Sequence, residues 1–121
     1  MSPLDIRVEK SKGTRTATVR CKGDIDAHTF DQLDETFFDL LDEGMPNIIA
    51  DLKLVTYISS AGIGVLIGAK SEAEGHGGDL VLMNVARDVE EVFKVMGFDS
   101  MFALVKSEEE ALKAFSASSR G

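Results

Sequence analysis

Few residues in this chain combine a reactive type with a setting that would let them react. The two histidines, His28 and His76, stand apart. His28 opens a predicted helix and His76 lies in a glycine turn, and neither belongs to a Cys/His cluster with the spacing of a zinc site. The sequence points to no metal and no cofactor. The one cysteine, Cys21, closes an alternating segment and reads as a small core residue rather than a nucleophile. Carboxylates are plentiful, but they fall along helix faces, as a solvated surface would place them. Gly62-Ile63-Gly64 follows a strand, yet Ile67 stands where the dinucleotide fingerprint needs a third glycine. A Walker loop and a G-x-S-x-G nucleophile elbow are absent. What remains is the run Tyr57-Ile58-Ser59-Ser60-Ala61-Gly62-Ile63-Gly64. Its paired hydroxyls sit between a buried strand and a helix, where a serine can carry function at a sheet edge or simply cap the helix.

The elements around that run follow from hydrophobic period. Leu4, Ile6 and Val8 alternate with polar residues, as do Ala17, Val19 and Cys21, with a turn at Lys12-Gly13 between them. These two segments predict a hairpin. Gly23-Asp24-Ile25-Asp26 breaks the alternation. Asp26 is then a candidate N-cap for a helix with its apolar stripe at Phe30, Leu33, Phe37, Leu40 and Leu41, ended by Gly44 with Pro46 beyond. The other face carries Asp31, Asp34, Glu35, Asp39 and Asp42. Ile48-Ile49-Ala50 reads as a strand buried on both faces. A second helix starts at the serines and ends near Gly75, Gly77 and Gly78; its Gly62, Gly64 and Gly68 would let it lie close to the sheet. Leu80 to Met83 is another buried strand. Val89, Val92, Phe93 and Met96 mark a third helix stopped by Gly97, Phe102 to Val105 a last short strand, and Ser107 with Glu110 the capping box of a fourth helix. Residues 116–121 read as a frayed polar tail.

The predicted order is β-β-α-β-α-β-α-β-α. This is an α/β class domain, a mixed sheet of about five strands with about four helices packed on it. At 121 residues the chain fits one domain, 1–121, with its core over about 4–115. The formal net charge of -8 argues against nucleic acid or an anionic membrane as partner, since both demand a positive footprint. One thiol without a disulfide partner, and no apolar run long enough for a leader or a span, suggest a cytoplasmic protein.

In this setting the sequence resembles the STAS domain of bacterial anti-sigma factor antagonists. Gly23-Asp24-Ile25-Asp26, Asp51-Leu52, the run from Tyr57 to Gly64, Gly78-Asp79-Leu80 and Val92-Phe93-Lys94-Val95-Met96-Gly97-Phe98 carry the resemblance, in order and at family spacing. The family motif reads Asp-Ser-Ser-Gly or Asp-Ser-Thr-Gly, and the serine after the aspartate is phosphorylated. On this chain that position is Ser60, with Ser59 in place of the aspartate and Ala61 in the third position; Ser59 is the alternative acceptor. The resemblance implies a partner-switching cycle. The unmodified protein binds an anti-sigma factor that is also a serine kinase, phosphorylation of Ser60 releases it, and a serine phosphatase resets it. It also implies a monomer that is not itself an enzyme. The expected partner surface comprises Asp24, Ile58, Ser59, Ser60, Ala61 and Gly62, with core the better assignment for Ile63. Three other readings remain. One is a STAS module that binds a protein or small ligand without phosphorylation. Another is a serine enzyme, which would need His28 beside Ser60. The last is an isolated cytoplasmic domain of a transporter.

Overall fold

The computed structural model describes residues 3–120, with the side chains of 118–120 left aside. The chain runs β1 (Asp5–Ser11), β2 (Thr16–Ile25), α1 (Phe30–Asp42), β3 (Asn47–Ile58), α2 (Ser60–Gly75), β4 (Asp79–Met83), α3 (Arg87–Val95), β5 (Leu104–Val105) and α4 (Glu108–Arg120). The predicted order and the mixed five-stranded sheet are both present. Strands lie in the order β1-β2-β3-β4-β5; β1 is antiparallel to β2 and all other neighbours are parallel.

The two faces of the sheet are filled unequally. Ala17, Val19, Cys21, Ile48, Ala50, Leu52, Leu80 and Leu82 share one core cluster with the apolar stripes of α1, α2 and α3. Ile49, Val81 and Met83 turn the other way and meet Ala111 and Phe115 of α4. This is the period of two that puts successive strand residues on opposite faces. Fully burying a side chain such as Phe37 or Leu66 contributes about 1.5–3 kcal/mol, so the three-helix side supplies most of the stability. Phe93 and Phe102 meet edge to face at 5.8 Å on the same side.

Where α4 leaves the second face open, Arg20 ties four elements together. Its guanidinium reaches Glu9 of β1 (2.5 Å), Asp51 of β3 (2.7 Å) and Glu108 of α4 (3.0 Å). The bond to Glu9 is the main reason that the Arg20 pKa is raised and that of Glu9 lowered. Beside them, burial and then the Asp51 charge push the Cys21 thiol up to about 12, which makes it the inert core residue its position suggested.

Five boundaries differ from the sequence reading. β2 does not stop before Gly23 but continues to Ile25, and β3 continues to Ile58; the two stay paired, with register shifts at Arg20/Lys22 and Gly23/Asp24. Those irregularities are what broke the alternation. Asp26 does not cap α1. Its main-chain carbonyl closes a turn by accepting from the N–H groups of Thr29 and Phe30, and the N-cap is Thr29, so His28 lies in that turn rather than in the helix. The last strand begins at Leu104 rather than Phe102. Residues 116–120, expected to fray, are helical continuations of α4; Gly121 lies outside the described residues. Gly44 ends α1 as predicted, with φ of 85° and the closing bonds Gly44 N–H to Leu41 O and Met45 N–H to Leu40 O.

Candidate functional site

The long β2–β3 pair builds the site. Parallel strands present their carboxyl ends at one edge, and here β2 and β3 run several residues past the end of β4. The pairs Asp24–Tyr57 and Ile25–Ile58 bring the entry to α1 beside the entry to α2. The Ser59 N–H then donates to the Ile25 carbonyl at 2.8 Å, which locks the two loops together.

Ser59 and Ser60 have different work. Ser59 is the N-cap of α2, in extended conformation (φ −94°, ψ 173°), and its Oγ accepts from the Gly62 N–H at 3.3 Å. Ser60 is the first helical residue, exposed, and its hydroxyl makes no hydrogen bond among the described residues. The sequence motif therefore holds one structural hydroxyl and one spare hydroxyl.

Gly62 and Ile58 turn out to be packing residues. Ile58 is buried, Ile63 fully so, and Gly62 lies between. A Cβ on Gly62 would stand 2.6 Å from Ile25 Cγ2, 2.8 Å from Ile58 Cγ1 and 3.0 Å from the Ile25 carbonyl oxygen. Only glycine lets α2 press this closely on the β2–β3 ends. Ile58 and Gly62, expected as partner contacts, thus present no side chain to a partner; they fix the height of Ser60 above the sheet. Gly64 and Gly68, expected to serve the same close approach, have nothing within 4 Å of their Cβ positions.

Asp24 is half-buried and held on both sides. Its Oδ1 accepts from Thr56 Oγ1 at 2.7 Å, and its carbonyl accepts from Thr29 Oγ1 at 2.8 Å. The same Thr29 oxygen accepts from the Asp26 N–H at 2.9 Å, while Asp26 Oδ1 accepts from the His28 N–H at 2.8 Å. Thr29 is therefore the keystone of the loop, and with Thr56 it was missed by sequence reasoning. The signal for Thr29 was present as a second capping residue three positions after Asp26. Tyr57 is 53% exposed and lies across from Asp24, an aromatic surface at the same edge that the sequence placed only as the start of the motif. His28 is exposed and shares no hydrogen bond with either serine among the described residues, so the base that a serine hydrolase requires is not engaged.

Among the described residues no group of three or more His, Cys, Asp or Glu is arranged to hold a metal ion, and no helix is long and apolar enough to cross a membrane.

This arrangement has relatives. A Bordetella bronchiseptica protein, BtrV, named for anti-sigma factor antagonism, is 30% identical over 112 residues, 93% of this chain and 95% of that one. The Staphylococcus aureus anti-sigma-B factor antagonist is 20% identical over 98 residues, 81% and 91% of the two chains. In fold, the chain superimposes on the anti-sigma factor antagonist SpoIIAA in its unphosphorylated form with a TM-score of 0.76 at 24% identity, covering 91% and 95% of the two chains. It matches the phosphorylated form of Bacillus SpoIIAA with a TM-score of 0.69 at 22% identity, covering 91% and 98%. The STAS domain pattern matches residues 5–111, and with it the mixed sheet, the four helices and the serine-bearing edge find their place: the chain belongs to the STAS domain family, among relatives that are anti-sigma factor antagonists.

Proposed function

We propose that this chain is a phosphorylation-controlled anti-sigma factor antagonist: unmodified, it binds an anti-sigma factor that is also a serine kinase, and phosphorylation of Ser60 releases it. A serine phosphatase restores it, and sigma-factor-dependent transcription follows its state. It acts as a monomer and supplies no catalytic group. The observation that carries this reading is the division of labour between the two serines. The Ser59 hydroxyl is committed to the cap, whereas Ser60 is exposed at the first turn of α2 and its hydroxyl makes no hydrogen bond among the described residues.

The chemistry fits a switch. A phosphoryl group on Ser60 brings about -1.5 to -2 charges. At the start of α2 it meets N–H donors and the positive end of the helix dipole, so the fold tolerates it. A partner seated over Asp24, Tyr57, Ser60 and Ala61 meets a new dianion instead. Two unit charges about 4 Å apart interact by roughly 4 kcal/mol at an effective dielectric of about 20. At about 1.4 kcal/mol per tenfold step, that is a loss of two or more orders of magnitude in affinity without refolding.

The test incubates the protein with ATP and each candidate anti-sigma kinase, and reads intact mass. One phosphate that vanishes with Ser60→Ala and persists with Ser59→Ala is the expected result. Loss with Ser59→Ala alone moves the acceptor. No phosphate from a kinase that demonstrably binds the chain overturns the switch and leaves a binding module that works unmodified.

A further inference from the structure

A groove of about 270 Å³ runs between α1 and α2, away from the serine edge. Its floor is apolar, made by the buried Phe37, Leu41 and Ala69. Phe38 stands at its lip, 69% exposed, and Gly68 leaves its wall open. Packing does not require that glycine, because its Cβ position has nothing within 4 Å, and alanine would favour the helix. The rim is mostly acidic: Asp34, Glu35, Asp39 and Asp42 from α1 and Glu72 from α2, all exposed and none in an ion pair among the described residues; exposed His76, whose Nδ1 lies 2.8 Å from the Glu72 carbonyl oxygen, completes it. Lys70, the one cation on either helix, is held at 2.6 Å by Asp79 and at 3.8 Å by Glu74.

These carboxylates work against the fold. Asp39, Asp42 and Glu72 occupy the last turns of their helices, where the dipole disfavours negative charge, and neither last turn carries a basic residue. Glu35 and Asp39 repel each other at four-residue spacing. An apolar floor, an exposed phenylalanine and uncompensated negative charge from two helix ends converge on one groove. The volume falls below the usual range for a small-molecule site, yet it accepts an apolar side chain or two.

We propose that the α1–α2 groove docks a basic amphipathic helix of a partner protein. An apolar residue of that helix would seat on Phe37, Leu41 and Ala69, and its lysines or arginines would face the carboxylate rim, a helix-in-groove mode. Gly68 lies about 12 Å along the helix axis from Ser60 at about 1.5 Å per residue, so this contact is separate from the phosphoacceptor edge and does not depend on Ser60 being modified.

The test uses a synthetic Leu/Lys helix of about 18 residues with leucines at helical spacing, titrated into the isotope-labelled protein with backbone amide shifts as readout. Saturable shifts are expected over 34–42 and 68–76. Gly68→Phe, which fills the groove from an unobstructed Cβ, should weaken binding about tenfold or more. Asp39→Lys with Asp42→Lys should do the same, as should raising salt from about 0.01 M to about 0.15 M. A peptide of equal composition with the period scrambled should not saturate. The proposal is overturned if both peptides bind equally, if the shifts spread over all acidic surfaces or gather at Ser60, or if Gly68→Phe changes nothing. It is also overturned if Phe38→Ser abolishes self-association of the chain alone, since the groove would then belong to a second copy.

Discussion

Two helices of this domain start in the same topological position and are built differently. Both α2 and α3 begin at the carboxyl end of a parallel strand. At α2 the N-cap side chain is used, Ser59 accepting from Gly62, and the first turn carries no acid. At α3 the cap is Ala86, without a side-chain bond, and the first turn carries Asp88 and Glu90. The α3 dipole is thus met by its own carboxylates, while the positive end of α2 is left without a charge of its own. An anion added at Ser60 enters an unfilled position; the same anion at the start of α3 would meet two negative charges. In the charge carried by their own first turns, the α2 start is the better place for an added anion of the two.

The largest effect expected from breaking this arrangement comes from Gly62, which sets how close α2 lies to β2 and β3. Gly62→Val forces the Ile25 and Ile58 side chains and the Ile25 carbonyl apart and should cost about 1–3 kcal/mol in chemical denaturation. Gly64→Ala, with nothing within 4 Å, should instead gain up to about 1 kcal/mol. Equal effects at the two glycines would remove the packing account of the motif.

Much of this edge was legible in advance, for identifiable reasons. The stripe of α1 and the two-sided burial of β3 follow from period, and the break at Gly44 from backbone stereochemistry. The extension of β2 was hidden because register shifts at Arg20/Lys22 and Gly23/Asp24 destroy the alternation that announces a strand. Gly23 sits at φ 115° with the Pro3 carbonyl where a Cβ would be, a long-range contact that no local pattern encodes. Asp26 and Thr29 are both good capping residues three positions apart, and only the fold shows that the first closes the turn and the second starts the helix. The same holds for the serines: propensity gives both hydroxyls equal claim to the cap, and the choice is made by backbone position. The helical end of α4 was misread because small polar residues resemble a tail, although Ala111 and Phe115 anchor the preceding turns to the sheet.

The two serines give the next test in size. Ser59→Ala removes a cap and should cost about 1 kcal/mol, whereas Ser60→Ala should stay within about 0.5 kcal/mol. Giving α3 the cap it lacks, Ala86→Ser, should gain up to about 1 kcal/mol, because Ala86 already has extended geometry at φ −65°, ψ 148°. Thermal and denaturant unfolding of the three variants would measure this. A larger loss from Ser60→Ala than from Ser59→Ala would exchange their roles and with them the acceptor.

The smallest effect concerns acid, and it separates hydroxyl capping from charge. Ser59 does not titrate in the acid range, so the α2 start adds no pH dependence of its own. Glu9 does titrate: its hydrogen bond to Arg20, followed by the Arg20 charge, lowers its pKa from 4.5 in the folded state. A depressed carboxyl contributes stability that is fully present above the unfolded value and is lost as pH falls through the folded one. Stability should therefore decline below about pH 4.5 partly through Glu9. In Glu9→Gln that share is absent, so its stability-against-pH curve should be flatter in this window than the parent's, while Ser59→Ala should lower the whole curve without changing its slope. Since Glu9 lies on the surface, solvent screening keeps the difference small. Unfolding midpoints taken across the acid range would decide it: a parent slope reproduced by Glu9→Gln would leave Glu9 without a part in acid stability, and a slope altered by Ser59→Ala would mean that the α2 cap depends on a titrating neighbour after all.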